Sequence, residues 1–290
     1  AQDARGRQKR FVVVLGFTAI LLAGAFFFVR INPACRQNLA VHHAQYQELA
    51  EALSEGKVSV GDAEKVLLAV KNPYDTIALQ AAGIGYRADY AYHDGKYYVY
   101  FGIVPVLLLY LPYYLLTGGA LQNYVAVFVF FAGFIIAAAG FVYELMKRYF
   151  KEQPFYLWAV GTGMLVGSYS MFYLLIRPDL YHVPIVASAM FATGGLWLYL
   201  AGLNRPKKAV GLYAFGSFCM ALTAGCRPQF ILFAALAVVL FWERVFVKRE
   251  LFSKKGWRQT AALVVPYVLI AAGLMAYNAL RFGSPFDFGA

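Results

Sequence analysis

Seven apolar runs of about 20 residues each constrain this chain more strongly than any other feature. An α-helix of that length rises about 30 Å, which matches the hydrocarbon core of a bilayer. Hydrophobic residues make up 61% of the 290 residues and charged residues only 14%, which is too apolar for a soluble domain. The sequence therefore predicts an all-α polytopic membrane protein. Its predicted spans are 11–29, 122–145, 155–176, 184–202, 209–225, 229–247 and 260–279.

The basic residues between these runs predict the orientation of the chain. With seven spans, segments 1–10, 146–154, 203–208 and 243–259 fall on one side and together carry 16 Lys and Arg residues. Short loops rich in Lys and Arg remain in the cytoplasm. We therefore expect a multi-pass protein of the cell inner (cytoplasmic) membrane with a cytoplasmic N-terminus. These loops also account for the net charge of +11, so nucleic acid is not an expected partner.

The predicted domain organisation follows from these spans. The run at 11–29 lacks a cleavage site of the A-x-A type and is interpreted as an uncleaved signal anchor. The chain begins without Met and ends without a closing element, as a piece of a longer protein would. The predicted regions are a basic cytoplasmic N-terminus (1–10), the first span (11–29), an external loop (30–121), a six-helix transmembrane bundle (122–279) and an external C-terminal end (280–290).

Segment 101–117 is apolar but contains Pro105, Pro112 and several tyrosines. Counting it as an eighth span would place the basic loops on opposite sides of the membrane, against the usual distribution of Lys and Arg. We therefore predict an interfacial or re-entrant helix on the outer face.

Three local patterns stand out in the rest of the external loop. Apolar or small residues at Ala40, Ala44, Leu49 and Leu53, with polar residues between them, predict that 39–55 forms an amphipathic helix on the membrane surface, with its glutamates as a solvated stripe. Asp62 is a suitable N-cap for a short helix that ends before Asn72. Asp94 and Gly95 both accept positive φ and stand between aromatic residues, which predicts a tight hairpin.

Each external connection after the long loop presents one arginine, namely Arg177, Arg227 and Arg281. Arginines at helix ends also snorkel to lipid headgroups, which is the alternative for any one of them. Guanidinium groups bind phosphate through two parallel hydrogen bonds. Three of them on one face therefore predict a site for the phosphate of a lipid carrier.

The external loop also supplies candidate general bases. Asp75 follows Asn-Pro-Tyr, and Asp89 precedes a block of tyrosines that enters the interface. Partial shielding from water suits a carboxylate for general-base work, whereas the alternative is a local cap or ion pair. The three cysteines have no metal-binding spacing, and the adjacent His42 and His43 cannot face one side of a helix, so no metal site is predicted.

Several of these motifs resemble the GT-C superfamily of membrane glycosyltransferases, which includes protein O-mannosyltransferases and the lipid A aminoarabinose transferase. A first span, a long external loop and seven spans in all are similar to the shared module of that fold. The matching local motifs are Asn72-Pro73-Tyr74-Asp75, Asp89 with Asp94-Gly95-Lys96-Tyr97-Tyr98, Phe101-Gly102-Ile103-Val104-Pro105, Cys226-Arg227-Pro228-Gln229, Tyr277-Asn278 and Arg281–Gly289.

The resemblance implies transfer of a sugar from a polyprenyl-phosphate carrier to an envelope acceptor. Tyr97, Tyr98 and Tyr100 would then form a platform for the sugar, although interfacial tyrosines also form membrane belts. Such enzymes place an acidic residue soon after the first span, and this chain has none before Glu48. The base would therefore be Asp75, Asp89 or His43, unless the chain is catalytically silent.

Two other functions stay open at the level of sequence. A protein that binds or flips a lipid-linked sugar, or a pseudoenzyme subunit of an envelope complex, would keep the arginines without an essential carboxylate. A small-solute permease would need polar residues at the middle of the membrane, and the spans contain few.

Overall fold

A computed structural model describes residues 2–36, 44–63, 67, 70, 72–85, 87, 89–168, 171–253 and 256–287. The described chain is mostly helical, with one small sheet. The α-helices are α1 (Gln2–Ile31), α2 (Gln45–Ser54), α3 (Thr76–Ala81), α4 (Leu111–Thr117), α5 (Asn123–Tyr149), α6 (Tyr156–Ser168), α7 (Met171–Ile176), α8 (His182–Asn204), α9 (Ala209–Leu222), α10 (Ala235–Trp242) and α11 (Trp257–Phe282). The strands are β1 (Gly61–Asp62), β2 (Ala91–His93) and β3 (Lys96–Tyr98).

Five helical stretches among the described residues are long and apolar enough to cross a membrane. The prediction of a helical membrane protein is therefore confirmed. Most of the outer surface of these helices is apolar, as lipid contact requires. The five stretches are Gln8–Ile31, Asn123–Tyr149, His182–Asn204, Pro228–Val247 and Trp257–Phe282.

One of the predicted spans is shorter than expected, and another is described only in part. The run at 155–176 contains α6, of 13 residues, and the six-residue α7, and residues 169 and 170 between them lie outside the described residues. The run at 209–225 forms α9, whose 14 residues rise only about 20 Å. Helix α9 ends early because the chain turns after Leu222, and the carbonyl of Gly225 accepts a hydrogen bond from Val104 N at 2.9 Å.

The bundle is built around α5, which packs against α8, α6 and α1, while α9 packs between α8 and α11. Small residues allow these helices to approach closely, as is usual in membrane bundles. A Cβ at Gly140 of α5 would overlap the Trp197 ring of α8. The central part of α5 is accordingly small and buried at 137–139.

Contacts between the connecting segments show which of them lie together at each end of the bundle. At one end, here called the basic end, Arg10 lies 5.5 Å from the centroid of the Phe155 ring. At the same end, Arg148 Nη1 donates to Leu203 O at 3.3 Å. Three of the predicted inside segments therefore meet at this end. The opposite end carries the small sheet and is called the sheet end.

Helix α2 is the described part of the predicted amphipathic helix, and residues 37–43 lie outside the described residues. Its buried side chains pack against the apolar segment Val106–Thr117. The rings of Tyr46 and Tyr110 are 5.3 Å apart, and Gln47 Nε2 donates to Leu121 O at 2.8 Å. The apolar face of α2 therefore packs on protein, which corrects the prediction that it lies on the membrane. Val106–Thr117 itself is too short to count among the five membrane-crossing stretches.

The sheet has the strand order β1-β3-β2, and both pairs are antiparallel. The predicted hairpin is confirmed, because Asp94 (φ 48°) and Gly95 (φ 76°) form the turn between β2 and β3. Asp62, the predicted N-cap, pairs with Lys96 in the sheet. Residues 64–66, where the helix predicted after it would begin, lie outside the described residues.

Candidate active site

The segment that follows the hairpin, residues 99–104, docks onto the loop between α9 and Pro228. Besides the Val104–Gly225 hydrogen bond, this contact depends on Gly102. A Cβ at Gly102 would overlap the carbonyl oxygens of Gly225 and Cys226. Only glycine therefore lets the two backbones come this close.

Arg227 stands at this junction. Its guanidinium lies 5.9 Å from the centroid of the Phe101 ring, and its Nη2 donates to the backbone oxygen of Tyr181 at 3.2 Å. The side chain is half-buried, and its Nε is buried without a hydrogen-bond partner among the described residues. Arg227 therefore keeps an unused donor in a sheltered position.

Asp89 faces the same tyrosine. It adopts a left-handed backbone conformation (φ 61°), which aspartate tolerates better than most residues. The Tyr181 hydroxyl donates to the Asp89 carboxylate, and burial together with this hydrogen bond raises the pKa of Tyr181 above its ordinary value. Tyr181 thus stays protonated at neutral pH and holds Asp89 through its hydroxyl and Arg227 through its carbonyl.

Two aromatic rings complete the wall beside these charges. Tyr100 stacks on Phe101 with ring centroids 4.2 Å apart, and Phe101 meets Tyr181 edge-to-face at 5.2 Å. Burial raises the pKa of Tyr100, and the Asp89 carboxylate raises it further. Tyr100 is 38% exposed, so this wall is open on one side.

Arg281 approaches the same segment from the last turn of α11. Its Nη1 donates to Val99 O at 2.7 Å and its Nη2 to Asn278 Oδ1 at 2.6 Å. The guanidinium carbon lies 4.1 Å from the centroid of the Tyr277 ring, and the residue is only 5% exposed. Its Nε, like that of Arg227, is buried without a partner among the described residues.

The Tyr46 hydroxyl lies close to Arg227 and to Tyr277, the tyrosine on which Arg281 stacks. Tyr46 is fully buried, and burial raises its pKa well above the ordinary value. Arg227 and Tyr277 are both close enough to act on its hydroxyl electrostatically. The hydroxyls of Tyr46 and Tyr277 also lack partners among the described residues. Buried polar groups without partners are rare, so this concentration points to a place where polar atoms of a ligand or water bind.

An apolar cavity of about 300 Å³ begins beside these groups and extends between α9, the turn at 228–234 and α11. Pro228, next to Arg227, and Asn278, the partner of Arg281, both line it. Ile231, Ile270 and Leu274 line its apolar part. The arrangement joins a cationic head region to an apolar groove.

The remaining predicted arginine and bases lie elsewhere. Arg177 is exposed, and its guanidinium carbon lies 5.8 Å from the centroid of the Tyr173 ring, while its backbone oxygen contacts His182 Nδ1. Asp75 is exposed and accepts a hydrogen bond from Ala78 N at 3.0 Å, the local capping role that the sequence left as the alternative. His43 lies outside the described residues.

The three predicted platform tyrosines do not share a surface. Tyr97 and Tyr98 are neighbours in β3 and therefore point to opposite faces. Tyr97 packs with the buried Leu67 and Leu79, whereas the Tyr98 ring lies 5.3 Å from that of Phe282. The structure places Tyr100 beside Asp89 and Arg227, and Tyr98 beside the last turn of α11.

Sequence reasoning missed an ion pair that fixes this end. Arg87 Nη2 lies 2.5 Å from Glu48 Oε2, and the Tyr90 hydroxyl donates to the same carboxylate at 2.8 Å. Arg87 also stacks 4.1 Å from the centroid of the Tyr90 ring. The prediction that Glu48 belongs to a solvated stripe is therefore wrong. Nothing in the spacing of Glu48 and Arg87 indicates this contact.

Among the described residues, no group of three or more His, Cys, Asp and Glu side chains is placed to hold a metal ion. Fold and site together define a helical membrane protein with a buried cluster of guanidinium, carboxylate and tyrosine groups at one end. No protein-family model, curated protein or solved structure matches the chain.

Proposed function

We propose that this protein is a GT-C-type membrane glycosyltransferase that moves a sugar from a polyprenyl-phosphate carrier to an envelope acceptor. One observation carries the proposal. Two guanidinium groups with unused Nε donors, the half-buried Arg227 and the buried Arg281, contact the segment 99–104 next to an apolar groove, and Tyr181 links Arg227 to the Asp89 carboxylate. A ligand that fits this combination has an anionic head, a polar group within reach of a base, and an apolar tail.

The roles of the head groups follow from their charge. Arg227 and Arg281 would bind the phosphate through charge-assisted hydrogen bonds. The isoprenoid would lie in the apolar groove between α9 and α11, where the lining at Ile270 and Leu274 suits a hydrocarbon. The sugar would then stand in front of Tyr100, on the open side of the wall.

The transfer itself needs one base and one leaving group. Asp89 takes the proton of the acceptor hydroxyl while that oxygen attacks the anomeric carbon. The bond from this carbon to the phosphate oxygen breaks with its electron pair, and the arginines stabilise the phosphate as it leaves. Attack opposite the leaving group inverts the anomeric centre. Tyr181 keeps Asp89 in position throughout.

The proposal includes seven membrane crossings, with the basic end in the cytoplasm and the site on the outer face of the inner membrane. Helix α6 begins after Phe155 at the basic end and α7 ends before Arg177, while α9 begins after Lys208 and ends before Arg227, which supports counting 155–176 and 209–225 as crossings. A membrane-impermeant maleimide should label Asp179→Cys but not Lys207→Cys in intact cells. The reverse labelling would contradict this orientation.

The lipid-phosphate site is tested by thermal unfolding of the purified protein in detergent with a polyprenyl phosphate. A ligand present at 100 times its Kd stabilises the folded state by about 2.7 kcal/mol. We expect Arg227→Ala and Arg281→Ala to weaken binding tenfold or more, since each removes a charged donor. Arg177→Ala is the matched control, because this arginine is exposed at the same end. The lipid-phosphate site would be contradicted if the polyprenyl phosphate did not raise the unfolding temperature of the wild type, or if Arg177→Ala lost as much binding as the other two variants.

Catalysis is tested separately with Asp89→Asn, which keeps the shape of the side chain and tolerates the left-handed backbone. In a transfer screen with polyprenyl-phosphate hexoses and pentoses, we expect a fall in rate of about 10²–10⁴-fold with lipid binding retained. Asp75→Asn is the control and should have no such effect. Unchanged function in Asp89→Asn would instead favour a lipid-linked-sugar binding or flipping protein, or a pseudoenzyme subunit of an envelope complex.

A further inference from the structure

The basic end contains two adjacent cavities that the proposed transfer does not use. The first has a volume of about 280 Å³ and lies between the start of α1, the end of α5 and the start of α6. The second has a volume of about 480 Å³ and lies between the end of α5 and Asn204. Lys147 and Lys151 line both cavities, so the two form one continuous basic surface.

The charge of this surface is positive, although the Glu243 carboxylate is close enough to act electrostatically on Arg148. Arg10 lines the first cavity and Arg148 the second, in addition to the two shared lysines. The described lining residues of both cavities include no carboxylate. The nearby Glu144 is 2% exposed and is already bound by Asn204 and Arg205. The described lining of the two cavities is therefore cationic and would attract an anion.

One of the cations also has an unused donor. Arg148 Nη1 donates to Leu203 O, but its Nε is buried without a partner among the described residues. The walls next to the cations are aromatic or apolar, including Phe150 and Phe155. Exposed apolar side chains such as Phe11 and Val160 continue from this region along α1 and α6.

We infer that these cavities bind the headgroup of an anionic phospholipid with two phosphates, of the cardiolipin type. Two neighbouring cavities with a shared pair of lysines suit two linked phosphates better than one. The exposed apolar surface below them suits acyl chains, and basic pockets at the cytoplasmic side of helical bundles bind such headgroups. The inference does not depend on the proposed sugar transfer.

The test is native mass spectrometry of the delipidated protein with cardiolipin, phosphatidylglycerol, phosphatidylcholine and inorganic pyrophosphate. We expect cardiolipin to bind most tightly. Each lysine near an anionic lipid contributes about fivefold, so Lys147→Ala with Lys151→Ala should weaken cardiolipin binding about 30-fold. Lys207→Ala with Lys208→Ala is the matched control. It removes the same charge from the same end, at residues that line neither cavity.

A conservative variant separates binding from folding. Lys147→Arg with Lys151→Arg keeps the charge and should restore most of the affinity that the double alanine variant loses. Equal weakening in the matched control would overturn the inference, because the lipid would then respond only to total charge. Equal binding of phosphatidylglycerol would overturn the two-phosphate headgroup, and competition by pyrophosphate at equal concentration would indicate a site for a free anion instead.

Discussion

The two ends of the bundle bury charge in different ways. At the basic end, the Glu144 carboxylate is 2% exposed, and Asn204 Nδ2 donates to it at 2.8 Å while Arg205 forms an ion pair with it. At the sheet end, the Arg281 guanidinium is 5% exposed and Arg227 is half-buried, yet each keeps an Nε without a partner among the described residues. The Glu144 carboxylate is satisfied by protein groups, whereas Arg227 and Arg281, and also Arg148 at the basic end, each keep an Nε without a partner among the described residues.

This difference separates a structural contact from a binding site. A buried charge that is fully paired holds its neighbours in one arrangement, and removal of its partner is strongly destabilising. A buried charge with an unused donor instead binds a complementary group more tightly than an exposed one would, because hydrogen bonds and charge interactions are stronger where the local dielectric is low. We therefore expect loss of the Arg205–Glu144 contact to change mainly the free energy of unfolding, and loss of Arg227 to change mainly the binding of a ligand.

The largest effect on stability is expected for Arg205→Ala at the basic end. This change leaves the buried Glu144 carboxylate without its cation, which should lower the free energy of unfolding by about 3 kcal/mol. Unfolding in mixed detergent micelles measures the change. Lys208→Ala, an exposed charge in the same loop, is the control and should change stability by less than about 0.5 kcal/mol. Similar values for both variants would show that the carboxylate does not need Arg205.

Gly102→Ala should have the next largest effect. The added methyl group would overlap two carbonyl oxygens, so residues 99–104 must move away from the loop at 225–227. We expect a loss of about 1–3 kcal/mol in stability together with loss of polyprenyl-phosphate binding. Gly211→Ala has open space around its Cβ and serves as the control. Normal binding by Gly102→Ala would mean that the close backbone contact does not position the site.

Arg227→Met should have a smaller effect on the empty protein. The change keeps the apolar stem and removes one hydrogen bond to Tyr181 O together with one unused buried donor. Loss of the hydrogen bond destabilises the folded protein, whereas removal of a buried donor without a partner stabilises it. We therefore expect the free energy of unfolding to change by less than about 1 kcal/mol, while the affinity for the lipid falls. A loss as large as that of Arg205→Ala would remove the distinction between the two ends.

The sequence was sufficient for features that depend on neighbouring residues. The apolar runs identify a membrane protein, and Asp94-Gly95 identifies the hairpin because the turn requires positive φ. Period-two alternation also separates Tyr97 from Tyr98, although the prediction of a shared platform did not use it. Local rules therefore predicted the class of the fold and the hairpin between β2 and β3, but not the pairing of β1 with β3.

Features that depend on distant residues could not be predicted in this way. Arg177 and Arg227 are both followed by proline, yet only Arg227 faces Asp89 and Tyr181 in the structure. The Glu48–Arg87 ion pair joins residues 39 positions apart, and the loop after α9 accepts a hydrogen bond from the distant Val104. Such contacts follow from packing, which the pattern of one segment does not contain.

The smallest expected effect concerns pH and Tyr46. Because burial raises the pKa of this hydroxyl well above its ordinary value of about 10, the folded state retains the proton when the unfolded chain has lost it. Stability should therefore be unaffected by Tyr46 below about pH 10 and should fall as pH rises beyond it. Tyr46→Phe should show a shallower decline between pH 9 and 11 when unfolding midpoints are compared. Identical slopes would exclude a contribution from this residue.

The bond between Arg281 and Val99 O spans 182 residues, which has a consequence for biosynthesis. Ribosomes add about 5–20 residues per second, so about 10–40 s pass between synthesis of the hairpin segment and arrival of the last helix. During that interval the Val99 carbonyl oxygen lacks the hydrogen bond that Arg281 donates in the folded protein. The apolar groove between α9 and α11 can therefore form only after the insertion of α11, and a nascent chain arrested earlier would carry the preceding helices without this groove.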